Sequence, residues 1–344
     1  MKRWLSIAAA FIALSALLAT WRVNAWLDTP LPLQAETVVD VPQGSAFVTV
    51  SRELEQSGVI GSARLFSWYG RLTGDAAKIR AGEYAFEPGL THASLLEKLV
   101  KGEVRLYSFT IVEGWTFREL LAAMSNHDVL DSSLVYEDWQ RVLDALGADY
   151  ESPEGLFLPE TYRFPRGTTD IDLLGQAHDL MQTALNEEWE ARATGLPINS
   201  AYEALTLASI IEKETALASE RPLIAGVFVR RLQKRMRLQT DPTVIFGLGE
   251  AFDGNLTRRH LRTDTPYNTY TRRGLPPGPI ALPGRAAINA AVNPAAGDTL
   301  YFVATGLGDG SHKFSVTNAE HAAAVSEYLK RRRSQASKPQ DADQ

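Results

Sequence analysis

The chain has 344 residues, 45% hydrophobic and 22% charged, enough apolar material for two or three modules with substantial cores, so disorder is not the default. Lysine and arginine total 35 against 41 acids, a net charge of −6, and no global basic field argues for nucleic acid. Cysteine is absent, which removes disulfides, thiol catalysis and zinc–thiolate sites together and suits an oxidising compartment.

Residues 1–3 carry Lys2 and Arg3 ahead of an apolar run from Trp4 to Trp21. As a helix that run would span about 27 Å, the thickness of one bilayer core. The basic end should stay cytoplasmic and the body should be exported. Two readings compete. A retained anchor over 4–24 fits the length of the run and its bounding Trp4, Trp21 and Trp26; a cleaved signal peptide fits the small-residue site Val23-Asn24-Ala25.

A proline-containing linker, 25–36, leads into a degenerate repeat: TVVDVPQGSAFVTVSRELEQSGVI, EYAFEPGLTHASLLEKLVKGEV and SFTIVEGWTFRELLAAMSN. Each copy reads as a strand, a turn at Gly44, Gly89 or Gly114, and a helix capped by Ser45, Thr91 or Thr116. Leu95, Leu96 and Leu99, then Leu120, Leu121 and Met124, fall at core spacing. Such small β/α units serve equally as packing spacers or as glycan-binding modules.

In ESPEGLFLPETYRFPRG, Pro153, Pro159 and Pro165 forbid a continuous helix, and Glu154 and Glu160 border an apolar loop, more simply as solvated acids. A helix follows from about 171 to 194, with Leu173, Leu174, Ala177, Leu180 and Met181 as its core stripe. Ser200 and Glu203 form a capping box that starts the next helix, which should run to about Ala218.

Glu212 lies in that helix's fourth turn on a small, mostly apolar face, where poor hydration would raise its pKa toward that of a general acid. Glu214 should project to another face. Pro222 sits in the first turn of a further helix with Leu223, Val227, Phe228 and Leu232 as its buried stripe; Arg230, Arg231, Lys234, Arg235 and Arg237 near its end suit the helix dipole, a solvated face or an anionic ligand.

LQTDPTVIFGLG reads as a polar turn followed by a β-like run. The proline-stiffened loop 266–284 brings Tyr267, Asn268 and Tyr270 together, ring faces and amide groups suited to sugars, or else simply covers the core. A helix over Arg285 to Val292, strands at Leu300 to Ala304 and Lys313 to Val316, and a helix boxed by Thr317 and Glu320 close the fold. Ala322, Val325 and Leu329 should be that helix's buried side, and 334–344 a disordered tail.

No GxGxxG opens a βαβ unit, and GxxxxGK[ST], HExxH and GxSxG do not occur. The six histidines show no ligand spacing, so neither cofactor nor metal is expected. An exported protein with a half-apolar acid and tyrosine-rich loops suits glycosidic bond cleavage.

ASIIEKETALASERPLIAGVFVRRLQKRMRLQTDPTVIFGLG, then YNTYTRRGLPPGPIALPG, LYFVATG and HKFS, resembles the endolytic murein transglycosylases of the MltG/YceG type over nearly the whole chain. Arg230 stands where that pattern usually has Asn, Phe246 where it has Tyr and Leu282 where it has Asn. The resemblance implies an α+β protein with an N-terminal transmembrane helix, a small LysM-like module over 37–108 and a larger mixed α+β catalytic domain over 109–333. It implies a bacterial inner-membrane enzyme with a cytoplasmic N-terminus and a periplasmic catalytic domain.

Its expected reaction cuts nascent peptidoglycan strands internally between N-acetylmuramic acid and N-acetylglucosamine, leaves 1,6-anhydromuramic ends and sets chain length. Glu212 would be the catalytic acid and then base, and no second carboxylate is needed because no water attacks. Ser209, Lys213, Glu220, Gln239, Thr240, Asp241, Tyr267, Asn268 and Tyr270 are the candidate substrate contacts. Peptidoglycan synthases and elongation or division proteins would be its partners. A non-catalytic wall-binding scaffold is the competing reading, supported by the repeat.

Overall fold

The computed structural model describes residues 2–336 and divides into two compact units, Met1–Tyr107 with Arg163–Gly167, and Ser108–Tyr162 with Thr168–Gln344. The mixed α+β class matches the sequence expectation.

In the first unit, α1 (Lys2–Leu27) is a long exposed helix. Its stretch Ser6–Leu27 has a mean hydropathy of 1.7 and is long and apolar enough to cross a membrane. At its end Trp26 packs on the rings of His92 and Tyr69, with centroids 4.3 and 6.0 Å away. β1 (Thr37–Val41) is followed by α2 (Phe47–Gln56), α3 (Ala63–Thr73), β2 (Gly82–Phe86) and α4 (His92–Lys101). β1 and β2 pair antiparallel, with Val39 opposite Tyr84. Alternation sends Val39, Val41, Tyr84 and Phe86 to one side, where they join Phe47, Leu54, Phe66, Leu95 and Leu99 in a single core. Gly70 is required there, since a β-carbon on it would stand 2.4 Å from the Phe47 ring. Thr91 caps α4 through a reciprocal box with Ser94 as expected, whereas α2 starts one residue late, on Ala46, without a side-chain cap.

The chain passes between units in β3 (Leu106–Thr110) and β4 (Thr161–Pro165), which pair with each other. The second unit adds α5 (Phe117–Ser125), α6 (Trp139–Leu146), α7 (Asp170–Glu190), α8 (Ala201–Glu214), α9 (Arg221–Gln233), α10 (Asp241–Leu248), α11 (Arg258–Arg262), α12 (Arg285–Val292), the hairpin β5 (Tyr301–Ala304) and β6 (His312–Ser315), and α13 (Asn318–Ala336). α8 is its axis, packed against α7, α9, α10 and α12. Residues 204–211 are all buried, with the small Ala204, Ala208 and Ser209 among them, and α12, which packs on α8, buries Ala287, Ala290 and Ala291. Small side chains on both helices permit this close packing without voids.

Four local expectations are corrected. DPTVIFGL is α10, a helix rather than a β-like run, because Thr240 is extended and Pro242 occupies the first turn, where its missing N–H and fixed φ are suited. α8 ends at Glu214 rather than Ala218, since Thr215 is already extended. Leu180 and Leu223 are exposed, and Ile224 takes the buried place on α9. On α13 the inward side is Ala324 with Val325 and Tyr328, while Ala322 and Leu329 face outward. α13 continues to Ala336, and the remainder of the expected tail, 337–344, lies outside the described residues.

Candidate active site

Glu212 occupies the last turn of α8, and its side chain is only 5% exposed. Both carboxylate oxygens are held. Oε1 accepts from Arg221 Nη2 at 2.9 Å, and Oε2 accepts from the backbone N–H of Gly284 at 3.0 Å. Arg221 opens α9 and Gly284 precedes α12, so three helix ends meet at one carboxyl.

The same guanidinium nitrogen donates to Glu113 Oε2 at 3.1 Å. Glu113 stands in the glycine turn before α5, and that turn is fastened in place: Gly114 N–H donates to Leu282 O at 2.9 Å and Leu282 N–H to Trp115 O at 2.7 Å. Lys213 Nζ adds a bond to Gly114 O at 3.0 Å. Gly284 cannot carry a side chain without displacing Glu113, whose Oε1 lies 1.9 Å from where a β-carbon would be.

Burial is the largest influence on Glu212 and lifts its pKa above the ordinary carboxylate value. The Gly284 N–H and the Arg221 charge pull it back, and the Glu113 charge pushes it up again. Two residues on, burial pushes Glu214 up to about 7, against a hydrogen bond from Thr240 Oγ1.

Three cavities in this unit share lining residues. Glu212, Glu113, Lys213 and Arg221 line one of about 580 Å³. Glu214 is a wall it shares with a polar cavity of about 490 Å³ containing Gln239, Thr240, Asp241 and Tyr270. Glu119 and Lys213 are walls it shares with a more apolar cavity of about 620 Å³.

The structure therefore separates the candidate contacts. Lys213 lines the cavity of Glu212, and Gln239, Thr240, Asp241 and Tyr270 line the adjoining one, where Tyr270 donates to Asp241 Oδ1 at 2.5 Å. Ser209 is fully buried, donating to Thr206 O and accepting from Ile280 N–H. Asn268 is likewise internal, its amide bridging the carbonyls of His260, Leu261 and Thr263. Tyr267 packs edge-on against Phe246, centroids 4.8 Å apart. Glu220 accepts from the backbone N–H of His312 at 2.8 Å and pairs with His312 Nδ1 at 2.7 Å. Arg230 and Arg231 leave the basic patch to bind main-chain carbonyls, Arg230 at Ala295 and Thr299 and Arg231 at Leu238 and Leu300.

Sequence reading missed Glu113 and Arg221, and took Glu154 more simply as a solvated acid. Glu113 had a visible signal, because the turn residue before the glycine is Gln43 and Pro88 in the other two copies and an acid only here. Glu154 is not a solvated loop acid: it is buried, accepts from the N–H of Phe117, and burial pushes it up to about 8. Glu160 is exposed.

A model of the YceG-like family matches residues 39–327. The chain is 30% identical to the endolytic murein transglycosylase of Bacillus subtilis, over 87% of each chain. It is 29% identical to that of Streptococcus pneumoniae, covering 88% of this chain and 61% of the other, so it spans about three-fifths of that relative's length. A crystal structure of a yceG-like protein from Listeria monocytogenes superposes with a TM-score of 0.52 at 29% identity, covering 85% of this chain and 99% of that one. With a family match across most of both units and a shared fold, the chain belongs to the YceG-like family.

Proposed function

We propose that this chain is an endolytic murein transglycosylase, a lyase that cuts peptidoglycan strands between N-acetylmuramic acid and N-acetylglucosamine, with Glu212 as its acid and base. The observation that carries the reading is the buried Glu212 carboxyl in an open cavity, oriented by Arg221 and the Gly284 N–H. The names of the B. subtilis and S. pneumoniae relatives support it.

Protonated Glu212 donates to the glycosidic oxygen as the bond breaks and positive charge develops at the muramic C1. The carboxylate left behind takes the proton of the muramic C6 hydroxyl, whose oxygen closes on C1 to give the 1,6-anhydro ring. Donor and acceptor are the same carboxyl, so it ends the cycle protonated. Arg221 stabilises the intermediate carboxylate, and burial favours the return of the proton.

α1 would anchor the enzyme in the inner membrane, with its N-terminus cytoplasmic and the chain beyond α1 periplasmic. There it would meet nascent strands and terminate their growth beside the synthases and the elongation or division machinery. The small module over 37–108 is read as LysM-like.

A second reading has a specific observation behind it. Glu113 is a further carboxylate on Arg221, and a base in that position could direct water to C1 and give hydrolysis. Digestion in ¹⁸O-water separates the two: the lyase yields anhydro ends without label, a hydrolase yields labelled reducing ends. A non-catalytic scaffold yields no new ends at all.

A further inference from the structure

We infer that the outer face of α3 rests on the lipid surface beside α1 and so fixes the first unit against the membrane, an inference that rests on the reading of α1 as a retained anchor. Ala63, Phe66, Ser67 and Gly70 turn one side of α3 into the first unit. On the other side Leu65, Trp68 and Leu72 fall three and seven residues apart, on one stripe, and are 52, 53 and 66% exposed. Single exposed apolar residues are ordinary, but a contiguous row of large ones marks a surface that something covers.

What covers it follows from where α3 lies. Trp26, in the last turn of α1, packs edge-on against Tyr69, the neighbour of Trp68 in the chain, with ring centroids 6.0 Å apart. Trp26 also stands at the end of the membrane-length stretch Ser6–Leu27, whose 22 residues rise about 33 Å as a helix, slightly more than one hydrocarbon core. A spanning α1 therefore places Trp26 at headgroup level, where tryptophan is favoured, with α3 alongside. The join has little slack. Leu27 is buried, Asp28 N–H and Thr29 Oγ1 donate back to Asn24 O and Ala25 O, and Leu31 N–H donates to Leu90 O at 2.7 Å. The unit cannot swing away from the end of the span without breaking these contacts.

Charge fits a phospholipid surface. α3 contains no acid, and its exposed Arg64 and Arg71, seven residues apart, form a basic row adjoining the apolar stripe. Apolar side chains that enter the acyl boundary, beside arginines that reach phosphate groups, are what an interfacial helix presents to anionic lipid. So short a helix holds lipid weakly by itself, and its connection to α1 supplies the local concentration.

The chain has no cysteine, so a single one can be introduced for labelling. The full-length Leu72→Cys protein, carrying an environment-sensitive fluorophore, is reconstituted into vesicles of phosphatidylethanolamine and phosphatidylglycerol. Its emission should be blue-shifted, and quenched about twofold or more by lipids brominated high on the acyl chain. Adding Leu65→Glu with Trp68→Glu should return the label to water. Adding Arg64→Gln with Arg71→Gln should weaken the quenching and remove its dependence on phosphatidylglycerol. All four side chains are exposed, so the thermal midpoint should hold; if the glutamate pair lowers it, the arginine pair decides. A label that stays in water, or quenching undiminished in both variants, overturns the proposal. So does a blue shift without lipid quenching, which would show that protein covers the stripe, a second copy if the shift grows with protein density. Alkaline washing of the same vesicles reads the anchor separately. Protein retained with an unquenched label sinks the α3 contact alone, whereas protein lost sinks the anchor reading and the contact with it.

Discussion

Glu212 is tuned by opposing neighbours, and each can be removed separately. The acid form starts the reaction, so kcat/KM should fall as pH rises through the raised pKa of Glu212. Glu113→Gln deletes a charge that disfavours the carboxylate, so the descending limb should move to lower pH. Arg221→Met deletes a charge that favours it, and the limb should move to higher pH. A pH–rate profile checks both, and shifts in the same direction would show that the electrostatic account is wrong. Glu154 makes a separate prediction about stability. Its pKa rises from 4.5 to about 8 on folding, so between those values the folded state binds the extra proton. Stability from this group is therefore complete at low pH and lost as pH climbs toward 8, on the order of a few kcal/mol. In Glu154→Gln, the fall of the thermal midpoint between pH 5 and pH 8 should flatten.

At the scale of elements, the helix starts were the most legible part of the sequence because capping is local chemistry. Thr91, Thr116 and Ser200 each accept from the backbone N–H three residues on, as their spacing required. Thr169 does the same at the head of α7, in a box with Asp172, and Thr169→Ala should cost about 1 kcal/mol in chemical denaturation. α10 was misread because VIFGL is a short apolar run, which helix and strand tolerate equally; the decision lay with the extended Thr240 and the partners that cover α10. The phase errors at Leu223 and Leu329 have a similar cause, since a stripe one residue out of register still shows helical spacing. Of the site, Glu212 was readable because the small, apolar face on which it stands is made by its own helical neighbours. Arg221 and Glu113 come from other elements, 9 and 108 residues apart from their partners across the shared bonds, and only the fold brings them together.

For the whole molecule, two choices remain between physical alternatives. If α1 anchors the chain, the protein should stay with membranes through high-salt and alkaline washing, keep its first residues, and be digested by protease added to spheroplasts. A soluble product beginning near Trp26 would instead identify a cleaved signal. The larger choice concerns the reaction, and it is most directly decided on purified sacculi digested in parallel with the wild-type and Glu212→Gln proteins, with the soluble fragments weighed by mass spectrometry. The wild type should release fragments ending in 1,6-anhydromuramic acid. Glu212→Gln should fold with an unchanged thermal midpoint and release them at least about 10²-fold more slowly. Undiminished anhydro ends from Glu212→Gln, or none from the wild type, would contradict the account.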